Sequence, residues 1–252
     1  MLISAVTDAH APLTGTQDGG AVPVLQTQAT RFAFSGQDVT QISFDPITLH
    51  AGDRLLVYGP SGSGKSTLLS LLAGVRLAQA GQISLLGKNW AELSTAQRDL
   101  WRADHIGFIF QQFNLLDWLS ALDNVLLPTR FSALRATRAL VQAASLQAAA
   151  AQLLEMLDVP RNLWHQNAGQ LSVGQQQRVA AARALIGSPE LILADEPTSA
   201  LDEDLRDRFM TALNTCCAQA RSSLILVSHD RALARYFEHH LQLPRLSVAQ
   251  AA

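Results

Sequence analysis

The stretch Gly59-Pro60-Ser61-Gly62-Ser63-Gly64-Lys65-Ser66-Thr67 decides how the rest of this sequence is read. It follows the short apolar run Arg54-Leu-Leu-Val-Tyr58 and precedes Leu68-Leu-Ser-Leu-Leu-Ala73, an order of strand, loop and helix. The glycines let the backbone curl so that its N–H groups converge on phosphate oxygens, and the start of the following helix adds partial positive charge. Lys65 and Ser66 complete the pattern G-x-x-x-x-G-K-[ST]. The lysine is expected to reach the β- and γ-phosphates of a nucleoside triphosphate, and the serine hydroxyl to ligate Mg²⁺.

Working outward, Glu190-Leu-Ile-Leu-Ala194 and Ser223-Leu-Ile-Leu-Val227 repeat the short apolar pattern, each followed by polar residues and a helical stretch. This alternation predicts an α/β fold around a largely parallel sheet, with ligands at the carboxyl ends of its strands. Asp195 stands at such an end, placed to hold the metal, and Glu196 beside it is placed to orient or deprotonate an attacking water. Upstream, Arg31-Phe-Ala-Phe34 and Gln41-Ile-Ser-Phe-Asp-Pro-Ile-Thr-Leu49 read as strands, with turns at Gly36 and Ala51-Gly52-Asp53. From about Trp90 to His165 the pattern is helical apart from His105-Ile-Gly-Phe-Ile-Phe110. Ala133 to Leu157, closed by Pro160, reads as a long helix or two. The expected organisation is a loose leader over 1–30, one domain over 31–243 with a helical subdomain inserted at about 90–165, and a short tail over 244–252.

Composition sets the outer limits. The 252 residues are 48% hydrophobic and 16% charged, enough for a sizeable core in one domain plus a subdomain. With 19 basic against 21 acidic residues the net charge of −2 gives no strong field for nucleic acid or anionic membrane. No uncharged apolar stretch approaches the roughly 20 residues of a membrane span, and Met1 to Ala21 has no basic start, its first apolar run being broken at Asp8. Cys216 and Cys217 are adjacent, too close for an ordinary bracing disulfide, and read as buried helix thiols in a reducing cytosol.

A second anion-seeking element lies at Leu171-Ser172-Val173-Gly174-Gln175. Ser172 is a good N-cap, and Val173 to Ile186 continues as an Ala-rich helix until Gly187-Ser-Pro189 ends it. The same segment, with Gln176-Gln-Arg178 after it, resembles the signature motif of the ATP-binding cassette (ABC) ATPases. Gln111 in Phe108-Ile-Phe-Gln111 resembles that family's Q-loop, Ser199-Ala-Leu-Asp202 its D-loop, and His229 in Val227-Ser-His-Asp230 its switch histidine, all in the family's order. The resemblance runs from about Arg31 to Leu243 and identifies the chain as a phosphate-loop NTPase of ABC type, with a mostly parallel sheet carrying helices on both faces, antiparallel β elements and an inserted helical subdomain.

The resemblance implies an ATPase that uses ATP and Mg²⁺. Two cassettes, as a homodimer or a pseudo-dimer with another ABC ATPase, would pack head to tail, so that Ser172, Val173, Gly174 and Gln175 of each close on the γ-phosphate held by the other. Glu196 would polarise water, His229 would hold the γ-phosphate, Gln111 would sense the triphosphate through metal or water, and Asp202 would cross the interface. An aromatic upstream of the loop normally stacks on adenine. Phe34 is the best match and Phe32 the second, and a place in the core suits either. Two departures stand out: Val173 occupies a position usually held by glycine, and Asp117-Trp118 replaces a proline-containing turn, where Trp118 is either an exposed partner anchor or a packing residue.

The runs Gln111-Gln-Phe-Asn-Leu-Leu116 and Ala121-Leu-Asp-Asn-Val-Leu-Leu-Pro128 are similar to the branch serving lipoprotein release, macrolide-type efflux and cell division. That branch implies work on a separate transmembrane subunit and a peripheral place on the cytoplasmic face of the membrane, with no direct nucleic-acid contact. The alternatives are the ATPase of an amino-acid or small-solute importer and, from another class, a soluble ABC ATPase acting on nucleic acid or ribosomes. The single cassette, without a long coiled-coil insertion between Gln111 and Ser172, speaks against the last. Intact Lys65, Glu196 and His229 speak against a regulatory module without hydrolysis.

Overall fold

The computed structural model describes residues 13–14, 22–33, 39–244 and 248–249. In chain order the strands are β1 (Leu13–Thr14), β2 (Leu25–Thr27), β3 (Thr30–Ala33), β4 (Val39–Phe44), β5 (Ile47–Leu49), β6 (Arg54–Tyr58), β7 (Ile83–Leu85), β8 (Lys88–Asn89), β9 (Ile106–Ile109), β10 (Leu191–Asp195), β11 (Ser223–Ser228), β12 (His239–Gln242) and β13 (Val248–Ala249). The α-helices are α1 (Lys65–Leu72), α2 (Thr95–His105), α3 (Ala121–Phe131), α4 (Ala133–Gln142), α5 (Leu146–Met156), α6 (Val173–Leu185) and α7 (Glu203–Ala220).

The central sheet runs β12-β6-β11-β10-β9 with every pairing parallel. Its apolar strands are buried on both faces, and their side chains alternate between two cores with the period of two that a pleated strand imposes. Leu55, Val57, Leu191, Leu193, Ile225 and Val227 face one core, which holds α1 and the antiparallel strands. Leu56, Ile192, Ala194, Leu224 and Leu226 face the other, which holds α3, α5, α6 and α7. Cys216 and Cys217 lie in that second core, where burial pushes their thiols up to about 11 and about 12 and keeps them protonated.

Two sequence expectations change here. The leader expected to run loosely to Thr30 instead gives β2, which pairs antiparallel with β5 and β7. Val24 and Leu25 are buried, and the Thr27 hydroxyl accepts the Ile47 N–H at 2.9 Å. The partners that order this segment come from later in the chain, so no local periodicity announces it. The single strand read over Gln41–Leu49 is two, split at Asp45-Pro46, and its halves join different sheets. Proline has no N–H for the ladder and ends β4 there. The segment beyond 244 also contributes a strand, β13, paired antiparallel with β4.

Ala133–Leu157 forms two helices, because Ser145 accepts the Ala148 N–H at 3.0 Å and starts α5 afresh. The helices α3, α4 and α5 pack on one another and on α6, between β9 and β10 in sequence. Every α-helix but α1 begins with a side-chain cap among the described residues: Ser94, Ser120, Ser132, Ser145, Ser172 and Asp202.

Candidate functional site

The exception is the helix that leaves the glycine-rich loop. Its N-cap, Gly64, sits at φ +86° with no side-chain hydrogen bond, after Gly62 at φ +77°. These left-handed conformations turn the chain from β6 into α1 within a few residues, and a side chain at either position would be strained. The first turn of any helix leaves N–H groups without intrahelical acceptors. Here they belong to Lys65, Ser66 and Thr67, which line a cleft of about 620 Å³ together with Ser61, Gly62 and Gly64.

The opposite wall comes from the carboxyl ends of the neighbouring strands: Gln111 after β9, Asp195 and Glu196 at the end of β10, and His229 after β11. Lys65 is 8% exposed. Its ammonium donates to the Gly59 and Pro60 carbonyls at 2.9 and 3.2 Å and lies 3.5 Å from Glu196 Oε1. A buried cation held by loop carbonyls, beside uncapped helix N–H groups, fits a polyphosphate. Burial pushes the Asp195 carboxyl above its ordinary value; a hydrogen bond from the Ser66 hydroxyl opposes this, the charge of Glu196 adds to it, and Lys65 lowers it. The Ser66–Asp195 pair puts two hard oxygen donors side by side at the mouth of the loop, which fits a magnesium ion that also takes phosphate oxygens.

Glu196 is held through both its backbone and its side chain. It is a non-glycine residue at φ +46°, and its N–H donates to the Val227 carbonyl at 3.0 Å. Its Oε2 accepts from Ser228 Oγ at 3.2 Å and the His229 N–H at 3.3 Å, and lies 2.9 Å from His229 Nδ1. With Oε2 engaged, Oε1 is the oxygen turned toward Lys65.

The remaining sequence candidates fall elsewhere. Ser63 belongs to the loop but is buried and does not line the cleft. Ser172, Val173, Gly174 and Gln175 do not line the cleft. They start α6, where Ser172 Oγ accepts the Gln175 N–H at 3.4 Å and Gln175 Oε1 accepts the Ser172 N–H at 2.9 Å, and Val173 is 52% exposed. Asp202 also lies outside the cleft and caps α7 by accepting the Leu205 N–H at 2.9 Å. Phe34 lies outside the described residues. Phe32 is buried in the core, with the Arg76 guanidinium 5.8 Å from its ring centroid. Trp118 is 71% exposed, so it is not a packing residue.

The segment after Gln111 is built by two residues that are not among the candidate site residues, Arg183 and Asn124. Phe113 and Asn114 both adopt positive φ, and the buried Arg183 guanidinium of α6 donates to both their carbonyls. Burial lowers the Arg183 pKa to about 10. Asn124, fully buried in α3, accepts the Leu116 N–H and shares its two amide hydrogens among the carbonyls of Leu116, Leu119 and Ser120. A lone arginine inside the apolar run Val179–Ile186 was the signal available for the first. The second had none.

A family model described as ABC transporter matches residues 41–199. The chain belongs to the ABC transporter family. Among curated proteins the cassette is 36% identical over 216 residues to the lipoprotein-releasing system ATP-binding protein LolD of Chromohalobacter salexigens, covering 86% of this chain and 88% of that one. It is 40% identical over 197 residues to the uncharacterized ABC transporter ATP-binding protein YbbA of Escherichia coli, covering 78% and 83%. Its fold matches the dimeric structure of MJ0796, a bacterial ABC transporter cassette, with a TM-score of 0.75 at 30% identity over 88% of this chain and 94% of that one. A post-hydrolysis state of MJ0796 bound to ADP and Pi matches with a TM-score of 0.75 at 29% identity, covering 90% and 100%. The cassette is therefore the ATP-binding and ATP-hydrolysing subunit of an ABC transporter that works with a separate transmembrane component. No helix among the described residues is long and apolar enough to cross a membrane itself.

Proposed function

We propose that two copies of this cassette bind two ATP molecules between them, each triphosphate held by the loop Gly59–Thr67 of one copy and closed over by Ser172–Gln175 of the other. The observation that carries this reading is the separation within one chain of two helix starts suited to phosphate: one opens into the cleft, the other is exposed and outside it. Lys65 and the loop N–H groups would hold the phosphates, and Phe34 is the candidate for the adenine. Ser66, Asp195 and Gln111 are the oxygen donors that would hold Mg²⁺, which when bound offsets the negative charge of the phosphate oxygens. Glu196, fixed through Oε2, would take the proton of the attacking water on Oε1, while His229 holds the γ-phosphate side of the cleft. Asp202 would meet the facing copy across the interface.

The likeness to LolD and the exposed Trp118 beside the Gln111 segment support work on a transmembrane partner of the lipoprotein-releasing kind, which would hold the cassette at the cytoplasmic face of the membrane. ATP binding closes the pair because the contacts to the facing nucleotide exist only in the closed state, and hydrolysis reopens it. The test is capture of tagged Glu196→Gln protein from mildly solubilised cells in ATP and Mg²⁺, read by mass spectrometry. Recovery of a membrane protein with few spans and a large extracytoplasmic part is expected. A many-span permease would move the reading to small-solute import, and ribosomes or DNA-repair proteins without a membrane partner would overturn it.

A further inference from the structure

The first turn of α7 is joined to Glu196 by a continuous set of polar contacts whose Arg206 and Asp230 members do not line the cleft. Arg206, with only 14% of its side chain exposed, donates from Nη1 to Asp230 Oδ2 at 2.8 Å. Its other nitrogens face Glu203 at 3.3 Å and Asp207 at 3.5 Å, and Asp207 is itself paired with Arg235. Asp230 therefore meets a guanidinium already positioned by the helix. The second oxygen of Asp230 accepts the Ala232 N–H at 2.8 Å and starts the short helical turn Arg231–Tyr236.

The Asp230 N–H donates to Ser228 Oγ at 3.0 Å. A hydroxyl has one hydrogen, and with its oxygen accepting from Asp230 that hydrogen is aimed at Glu196 Oε2, 3.2 Å away. Ser228 is 1% exposed, so water does not compete for it. His229 lies between Ser228 and Asp230, and its exposed ring meets the same Glu196 Oε2 through Nδ1 at 2.9 Å. Glu196 itself occupies a left-handed conformation that costs energy for a residue with a side chain, so its place depends on such tethers.

We propose that Arg206 is a positioning residue for the Glu196 carboxylate, acting through Asp230 and the Ser228 hydroxyl; the proposal rests on the reading that Glu196 activates water. It ties the hydrolytic carboxylate to the first turn of α7, where the Arg206 N–H bonds the carbonyl of Asp202 at 2.9 Å.

The test uses the full chain with Arg206→Met, Asp230→Asn, the double variant and Arg206→Lys, measuring steady-state ATP hydrolysis, ATP binding by calorimetry and thermal unfolding. Each single loss is expected to lower kcat roughly 10- to 100-fold with the ATP dissociation constant unchanged. The double variant is expected to be no worse than the worse single, since both cut one link, and Arg206→Lys to recover most of the rate. An ion pair that only braces the fold would lower the unfolding temperature and leave kcat alone, and that result, or losses that multiply in the double variant, overturns the proposal. If Arg206→Met does not fold, Asp230→Asn decides by the same criterion. Glu196→Gln run alongside separates the two readings: turnover like wild type removes the role of Glu196, whereas an inactive Glu196→Gln with normal Arg206→Met and Asp230→Asn removes only that of Arg206.

Discussion

The N-termini of α1 and α6 look alike in the sequence, each a small polar cluster before an apolar helix, and they are built in opposite ways. The α1 start has no side-chain cap and opens into a cleft beside a buried lysine. The α6 start closes on itself through Ser172 and Gln175 and is exposed. At the far end of α6 the buried Arg135 guanidinium of α4 donates to the carbonyls of Arg183, Ala184 and Ile186, so the end of the helix away from Ser172 is tied into the fold. Unpaired first-turn donors are tolerable where a ligand or water meets them; a helix to be presented to another molecule is stable alone only if it supplies its own cap. The first arrangement suits a ligand, and the second suits the role proposed for it, a surface presented to a facing copy.

The largest effect separates hydrolysis from binding. Glu196→Gln should lower turnover by about 10²- to 10⁴-fold while ATP still binds at α1; a variant that hydrolyses normally would remove Glu196 from the chemistry. Lys65→Ala should weaken ATP binding by about 10- to 100-fold, the loss of one charge-assisted contact, in equilibrium titration. Unchanged affinity would break the distinction, because α1 would then be no more a binding end than α6. Ser172→Ala should leave ATP affinity of the isolated chain intact and lower the unfolding temperature by about 2–4 °C, the cost of one N-cap; a drop in affinity would mean that α6 serves its own cleft.

The smallest effect concerns the brace beyond α6, where Glu190 meets His105 at 2.8 Å and Arg138 at 2.6 Å. Burial pushes the Glu190 carboxyl up, but the hydrogen bonds from His105 and Arg138 outweigh it and hold its pKa at about 2, below the ordinary 4.5. A carboxyl lowered on folding contributes stability above its unfolded pKa and loses it as pH falls through the folded one. Acid unfolding between pH 4.5 and 2 should therefore be steeper in wild type than in Glu190→Gln. Parallel curves would show that the brace carries no such linkage.

What could be read from the sequence follows the range of the forces involved. The loop Gly59–Thr67 and strands β6, β10 and β11 are legible because glycine spacing and short apolar runs are local properties. The family could be named because its motifs keep their order along the chain. The strand β2 is not legible, since Leu25 is buried only once β5 and β7 arrive from elsewhere. The split at Asp45-Pro46 is legible, since proline has no N–H to give a strand ladder. Arg183 and Asn124 show the limit most clearly: each acts on backbone carbonyls of a distant or irregular segment, and a carbonyl partner leaves no mark in a sequence.

The central claim is that the cleft of one copy is completed by the α6 start of another. Light scattering on Glu196→Gln with saturating ATP and Mg²⁺, with and without Ser172→Arg, tests it most directly. Glu196→Gln alone should double in mass when ATP is added, and Glu196→Gln with Ser172→Arg should stay a single chain while still binding ATP at saturating concentration. A Glu196→Gln protein that remains a single chain with ATP bound, or a pair that survives Ser172→Arg, would contradict the account.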